Sequence, residues 1–167
     1  STSSGLWRYN IGDTIQFTEI DPYRIIVTGR IKHFISAFGE HVIGKEVETT
    51  IKEIALKFKL RIREFTVAPQ VNPRKGLPFH EWFIEFDEIN DKLDAIETIM
   101  DNIMQRQNVY YKDLIRGKIL SPLKITKIKK GGFNDYMKSI GKLGGQNKVP
   151  HLSNDRKMAN DLLNYII

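Results

Sequence analysis

The sequence predicts an α+β fold: a split β-α-β sheet, in the order β-α-β-β-α-β, with helices packed on it. Three observations predict it. An apolar stripe at helical spacing follows Gly44, two strand-like runs follow that stripe, and a second helical stripe leads into a further strand-like run.

Taken in order, Leu6 to Asn10 and Thr14 to Phe17 read as short strands around a turn at Gly12-Asp13. Tyr23 to Thr28 reads as another, entered through Asp21-Pro22 and closed by Gly29. His33 to Phe38 reads as a strand, with a turn at Gly39-Glu40 and a return through His41 to Ile43. From Gly44 the period changes, and Val47, Ile51, Ile54, Ala55 and Phe58 make one helical stripe. Ile62 to Val67 returns to strand. A turn-rich loop with Pro69, Pro73, Gly76 and Pro78 leads to a stronger strand, Phe79 to Phe86. There Trp82, Ile84 and Phe86 share one face, while Glu81 and Glu85 point the other way. A second helix runs from about Asp91 to Arg106 on Leu93, Ile96, Met100, Ile103 and Met104, and Val109 to Ile115 forms a shorter one. Leu120 to Ile128 reads as a strand, and Gly131-Gly132 opens a helix through Phe133, Tyr136, Met137 and Ile140. A loop from Gly141 to Leu152 precedes a last helix on Met158, Leu162 and Ile166. The acidic residues of the helices read as solvated faces.

The chain has 167 residues, one domain's worth of length, with an apolar fraction sufficient for a core and no cysteine. Disulfides and thiolate chemistry are therefore excluded, and the composition is compatible with a reducing, cytoplasmic location. No apolar run reaches membrane-spanning length. The first residue is Ser1 and not Met, which reads as a fragment of a longer protein. The four histidines (33, 41, 80, 151) include no pair at helical ligand spacing, so no metal site is expected. Neither a Gly-x-Ser-x-Gly elbow nor a Walker-type phosphate loop is present. The formal net charge is +6, and its placement is uneven. From Lys124 to Lys148 seven lysines (124, 127, 129, 130, 138, 142, 148) face one acid, Asp135. Such a patch is either a solvated lysine-rich surface or a sign of phosphate nearby.

Two segments stand out. The first is LWRYNIGD, Leu6 to Asp13, followed by TGRIKHFISAFGE, Thr28 to Glu40; the second is FNDYMKSIGKLGGQNKVPH, Phe133 to His151. Read alone, Asp13 is a turn residue after glycine, Lys32 a solvated strand lysine and Lys148 a surface lysine in a glycine-rich loop. The order aromatic-Arg, Gly-Asp, Gly-Arg, Lys and a glycine turn before a helix resembles the junction between the large and small domains of adenylate-forming enzymes. Gly144-Gly145, Gln146 and Lys148-Val149-Pro150 resemble the late Gln-x-Lys-x-Pro segment of the auxin-responsive-promoter family of acyl-acid amido synthetases. One departure concerns His151, where plant members carry Arg; Arg156 lies close enough in sequence to substitute. The hinge and turn residues also sit nearer the wider superfamily pattern, and both facts fit a bacterial-type member.

The resemblance implies the mobile C-terminal domain of an ATP-dependent ligase with Mg²⁺, acting on a carboxylic acid and an amino acid and inactive on its own. Residues 1–28 would be strands left from the large N-terminal adenylation domain, 29–32 the hinge, and 33–167 the mobile domain. Asp13 would accept hydrogen bonds from the ATP ribose, Arg30 would approach ribose or phosphate, Lys32 would be the hinge, and Lys148 the catalytic, phosphate-binding lysine. Freed from its large domain, an exposed sheet edge could pair with a second copy, so a dimer of the fragment need not be physiological.

Two rivals stand beside this reading. A ligase that passes the acyl group to coenzyme A would share the hinge motifs, and only the Gln-x-Lys-x-Pro tail favours the amide former. An RNA-binding ferredoxin-like domain would share the element order and basic charge. KGLPFHEW supplies Lys75, Gly76, Phe79 and Trp82 toward its stacking motif. It fails at Leu77 and Pro78, and Phe79 and Trp82 fall on opposite strand faces. The expected partners therefore exclude nucleic acid and membrane.

Overall fold

In the computed structural model, residues 13–30, 34–88, 93–142, 144 and 147–167 are described. The chain begins with a separate antiparallel hairpin, β1 (Asp13–Ile20) and β2 (Tyr23–Arg30), turning at Asp21-Pro22. Asp13 is not a turn residue: it opens β1, opposite Arg30 in the ladder. A shorter hairpin follows, β3 (Phe34–Ile35) with β4 (Val42–Ile43). The strand expected over His33 to Phe38 is thus two residues long, with His33 outside the described residues. The reason lies in Glu40, whose carboxylate accepts the Phe38 N–H at 2.8 Å and meets His80 at 2.9 Å. Both side chains are buried, so the chain folds inward around them and leaves the ladder.

Helix α1 (Gly44–Phe58) starts where the Glu46 carboxylate accepts the Ile43 N–H at 2.9 Å. It ends at Lys59 in the left-handed region, with the Leu60 N–H donating to Ala55 O. Its stripe buries Val47, Ile51 and Ile54 as the spacing predicts. The main sheet has three strands, β5 (Ile62–Gln70), β6 (Phe79–Phe86) and β7 (Lys124–Ile128), in that order across the sheet. The β5/β6 pair is antiparallel and β6/β7 parallel. The parallel pair needs a crossover, which α2 (Leu93–Gln107) and α3 (Val109–Arg116) supply. The β-α-β-β-α-β order is observed, with β3 held in its own hairpin outside the sheet.

β5 runs three residues further than its apolar run suggests and contains Pro69. A proline fits there because β5 is an edge strand. Residues 67 and 69 share the parity that faces away from β6, so the missing N–H costs no bond to β6.

Every residue of β6 is buried. On one face Trp82, Ile84 and Phe86 pack with α1, α2 and α3. On the other, Phe83 packs with Phe133, Tyr136 and Met137 of α4 (Gly132–Ser139) and Leu162 of α5 (Lys157–Leu162). The sheet is therefore the middle of three layers. A short 3-10 turn, Leu163–Tyr165, leads the chain end along β7, where Ile166 bridges Ile128 and the Ile167 N–H reaches Lys127 O.

The expectation that helix acids are solvated fails at Asp101 of α2, which is 5 % exposed. Its carboxylate accepts the Tyr111 hydroxyl at 2.6 Å, the Leu123 N–H at 3.1 Å and the Gln105 amide at 2.6 Å. These bonds replace water and make burial of the charge tolerable.

Candidate functional site

Asp13 and Arg30 end up side by side as ladder partners at the open end of the first hairpin; only their backbone is described. Lys32 lies outside the described residues. Lys148 stands on a different element, an exposed segment leading into β5's outer edge.

That segment is built onto the sheet. Val67 N–H donates to His151 O at 3.0 Å, Ser153 N–H donates to Val67 O at 2.9 Å, and the two chains run parallel at Leu152. The Thr66 hydroxyl adds a 2.6 Å bond to Pro150 O. Val149 packs toward the α4/α5 layer and Leu152 is buried in the core of the opposite layer, so the segment straddles the sheet edge. Asn154 then accepts the Ser36 N–H at 3.1 Å, tying the same stretch to the β3–β4 loop. Before Lys148 the backbone takes positive φ at Gly141 (69°) and Gly144 (156°), conformations open to glycine. The lysine thus sits where a glycine-rich run meets a segment fixed by backbone bonds.

His151 is the side chain that holds this segment from outside. Its ring stacks on Phe65, with centroids 4.1 Å apart, and its nitrogens face Glu64 of β5 at 3.2 Å and Glu48 of α1 at 3.4 Å. The bond to Glu64 is the main influence and raises the imidazole above its ordinary value of 6.5, against partial burial and with help from Glu48. Arg156, by contrast, is committed to structure. It bonds Glu81 at 2.7 Å and Pro69 O at 3.3 Å and is only 14 % exposed. Glu81 also accepts the Thr126 hydroxyl at 2.6 Å, so Arg156 completes a buried junction between β5, β6, β7 and α5.

The basic stretch divides in the same way. Lys129 pairs with Asp135 at 3.4 Å, Lys130 with Asp87 at 3.8 Å, and Lys124 lies over the Phe79 ring at 4.6 Å. Lys138, Lys142 and Lys148 are exposed. The Gly131-Gly132 turn is explained by packing. Gly131 has φ 79°, and a Cβ on Gly132 would stand 2.5 Å from the Ile128 side chain. The N–H groups of Gly131 and Phe133 at the start of α4 point to the Glu85 carboxylate, at 2.7 and 3.4 Å. An internal anion already fills that helix start. Beside the Lys148 segment, Arg61, Arg63, Glu64, Asn134 and Val149 line a cleft of about 380 Å³.

Sequence reasoning missed the clamp on His151 and the Glu40–His80 pair. Glu48 lies off the α1 stripe and reads as solvated with the other helix acids, and Glu64 is one position in a strand-like run; only the departure from the family pattern at His151 drew attention to that position. Among the described residues no group of three His, Cys, Asp or Glu side chains could hold a metal ion, and no helix is long and apolar enough to cross a membrane.

Comparison with known proteins bears on the family and the fold. The GH3 family C-terminal domain matches residues 45–157. Two solved structures match over the whole chain: a GH3.15 acyl acid amido synthetase at 20 % identity and TM-score 0.76, and AtGH3.15 acyl acid amido synthetase in complex with 2,4-DB at 19 % and 0.75. The chain covers 33 % and 32 % of those two chains, about a third of their length. No curated protein matches the sequence. The family match spans most of the sequence and the fold agrees throughout, so the chain belongs to the GH3 family and carries its C-terminal domain.

Proposed function

We propose that this chain is the mobile C-terminal lid of an ATP-dependent acyl-acid amido synthetase. The full enzyme would join an acyl carboxylate to the α-phosphorus of ATP, releasing pyrophosphate, and then pass the acyl group to an amino-acid amine. The family match over residues 45–157 carries the reading. The exposure of Lys148 at the head of a pinned segment supports its part in it. In this reading Lys148 meets phosphate oxygens as charge builds on them, Asp13 takes the ribose hydroxyls, Arg30 approaches ribose or phosphate, and Lys32 is the pivot. The lysine's task is alignment and charge neutralisation; no side-chain nucleophile is involved. Mg²⁺ would accompany ATP. Among the described residues no group of three His, Cys, Asp or Glu side chains gathers to hold a metal ion.

The domain division follows the same reading: residues 1–28 at the edge of a large N-terminal domain, 29–32 as hinge, 33–167 as lid. Exposed apolar side chains on the first hairpin favour it. Phe17 is 57 % exposed, Ile20 75 %, Tyr23 76 % and Val27 65 %, a surface that asks for a cover. A cytoplasmic location belongs to the reading and is compatible with the cysteine-free sequence. The RNA-binding rival is disfavoured, since Phe79 and Trp82 are both buried and alternate along β6, so they share no exposed stacking face.

The test is ATP–pyrophosphate exchange by the full-length enzyme against a panel of carboxylic acids. Exchange with one acid, followed by amide formation on adding amino acids, is the expected result. A thioester on adding coenzyme A instead would move the enzyme to the acyl-CoA ligases. Silence across the panel from a folded, RNA-binding protein would overturn the reading.

A further inference from the structure

We propose that His151 is the positioning residue for Lys148: wedged between Glu48 and Glu64 and stacked on Phe65, it holds residues 149–153 against β5 and so fixes the base from which the lysine reaches. This rests on the reading of Lys148 given above.

The geometry carries the inference. Two residues separate Lys148 from His151, and the backbone between them has no helix or turn to hold it. Its fixation comes from the bonds of Val67 with His151 and Ser153 and of Thr66 with Pro150 along β5, with Leu152 in the core and Asn154 bonded to Ser36 beyond them. The backbone bonds lie along one strand edge, and edge pairing of so short a segment is weak alone. The imidazole adds the lateral hold, because it reaches two elements at once, α1 through Glu48 and β5 through Glu64. Among the described residues those two carboxylates are the charged groups that meet it from the packed elements. A ring flanked by two carboxylates satisfies both only when both its nitrogens carry protons, since each then donates one bond. Loss of one proton leaves a carboxylate facing a lone pair, and the hold loosens. The upward displacement of the His151 titration agrees with this. The hold is in place below 6.5 and is lost as pH rises through the higher folded value.

The consequence is a pH dependence of adenylation that comes from positioning and not from chemistry at the phosphorus. Amide hydrogen exchange at Val67 and Ser153, and ATP–pyrophosphate exchange, would be followed from below to well above 6.5 in the full-length enzyme and its His151→Gln, His151→Arg, Glu64→Gln and Lys148→Ala variants. In the wild type, protection of both amides falls with rising pH and pyrophosphate exchange falls with it. Glu64→Gln moves that fall to lower pH. His151→Arg, permanently charged, removes it, and His151→Gln lowers pyrophosphate exchange about tenfold to a hundredfold at low pH, the cost of a displaced group, and meets the wild-type level once the wild type has lost its hold. Protection that is pH-independent in the wild type, or unchanged in His151→Gln, overturns the proposal. Lys148→Ala separates the two layers of the argument. If it abolishes exchange while the His151 variants leave exchange untouched, the positioning role alone falls. If it retains full exchange, the Lys148 reading falls and takes the positioning role with it, whatever the amides report.

Discussion

Two of the described histidines meet carboxylates, and the difference between them shows what burial does to one kind of contact. His80 faces Glu40 at 2.9 Å with both side chains no more than 1 % exposed. His151 faces two carboxylates at 3.2 and 3.4 Å with 37 % of its side chain exposed. The buried pair sits inside a wider polar cluster. Tyr111 lies against the His80 ring at 5.1 Å and bonds Asp101, while Asn108 donates to Glu40 O at 3.0 Å. It joins the β3–β4 loop, β6, α2 and α3 into one unit. His151 joins only a terminal segment to its neighbours. Water can replace the partners of the second contact and not of the first, so one is a lock and the other a hold that pH can release.

Breaking the lock gives the largest expected effect. His80→Ala strands the Glu40 carboxylate in the core and should cost about 3–5 kcal/mol in denaturant unfolding. A loss below about 1 kcal/mol, the scale of an exposed pair, would show that water reaches the site and erase the contrast. The lock also has an acid limit. Burial pushes the Glu40 carboxyl upward, but the His80 bond and the backbone N–H groups of Glu40 and Phe38 outweigh it and hold it below 4.5. Its contribution is therefore in place above that pH and is lost as pH falls through the lower folded value. Acid unfolding monitored in wild type and in Glu40→Gln should converge at low pH.

Next in size is Tyr111→Phe, which removes one donor from buried Asp101 and should cost about 1–3 kcal/mol. The loss is bounded because the Leu123 and Gln105 bonds remain. The smallest global effect belongs to His151→Gln. Unfolding should shift by under about 1 kcal/mol, since the partners are solvent-accessible, even where local protection at Val67 collapses. A shift as large as that of His80→Ala would make His151 a second lock and remove the basis for a releasable hold.

What could be read from residues alone follows the range of the interactions involved. The α1 and α2 stripes were legible because helical periodicity is local, and Val47, Ile51, Ile96 and Met100 are buried as spacing demands. The face of β6 that carries Trp82 was legible for the same reason. Its opposite face was not. Glu81 and Glu85 look like a solvent-facing alternation, and their burial depends on Arg156, Thr126 and the start of α4, all distant in sequence. The shortened β3 has the same cause, since the partner that draws Glu40 inward is forty residues away. At the site, Lys148 stood out through its neighbours Gln146 and Pro150. The docking of its segment did not, because edge pairing between Val67 and Leu152 leaves no periodic trace in either stretch. The fate of Arg156 was equally hidden: a cation close to Lys148 in sequence proves to be tied to Glu81 beneath α5.

The central claim is that Lys148 serves the adenylation step from a base held on β5. Its most direct test is Lys148→Ala in the full-length enzyme, with ATP–pyrophosphate exchange and thermal unfolding measured on the same preparation. The account predicts exchange reduced by about 10²–10³-fold, the scale of one lost electrostatic contact to a transition state, with unfolding unchanged. Near-normal exchange from a stably folded variant would contradict it.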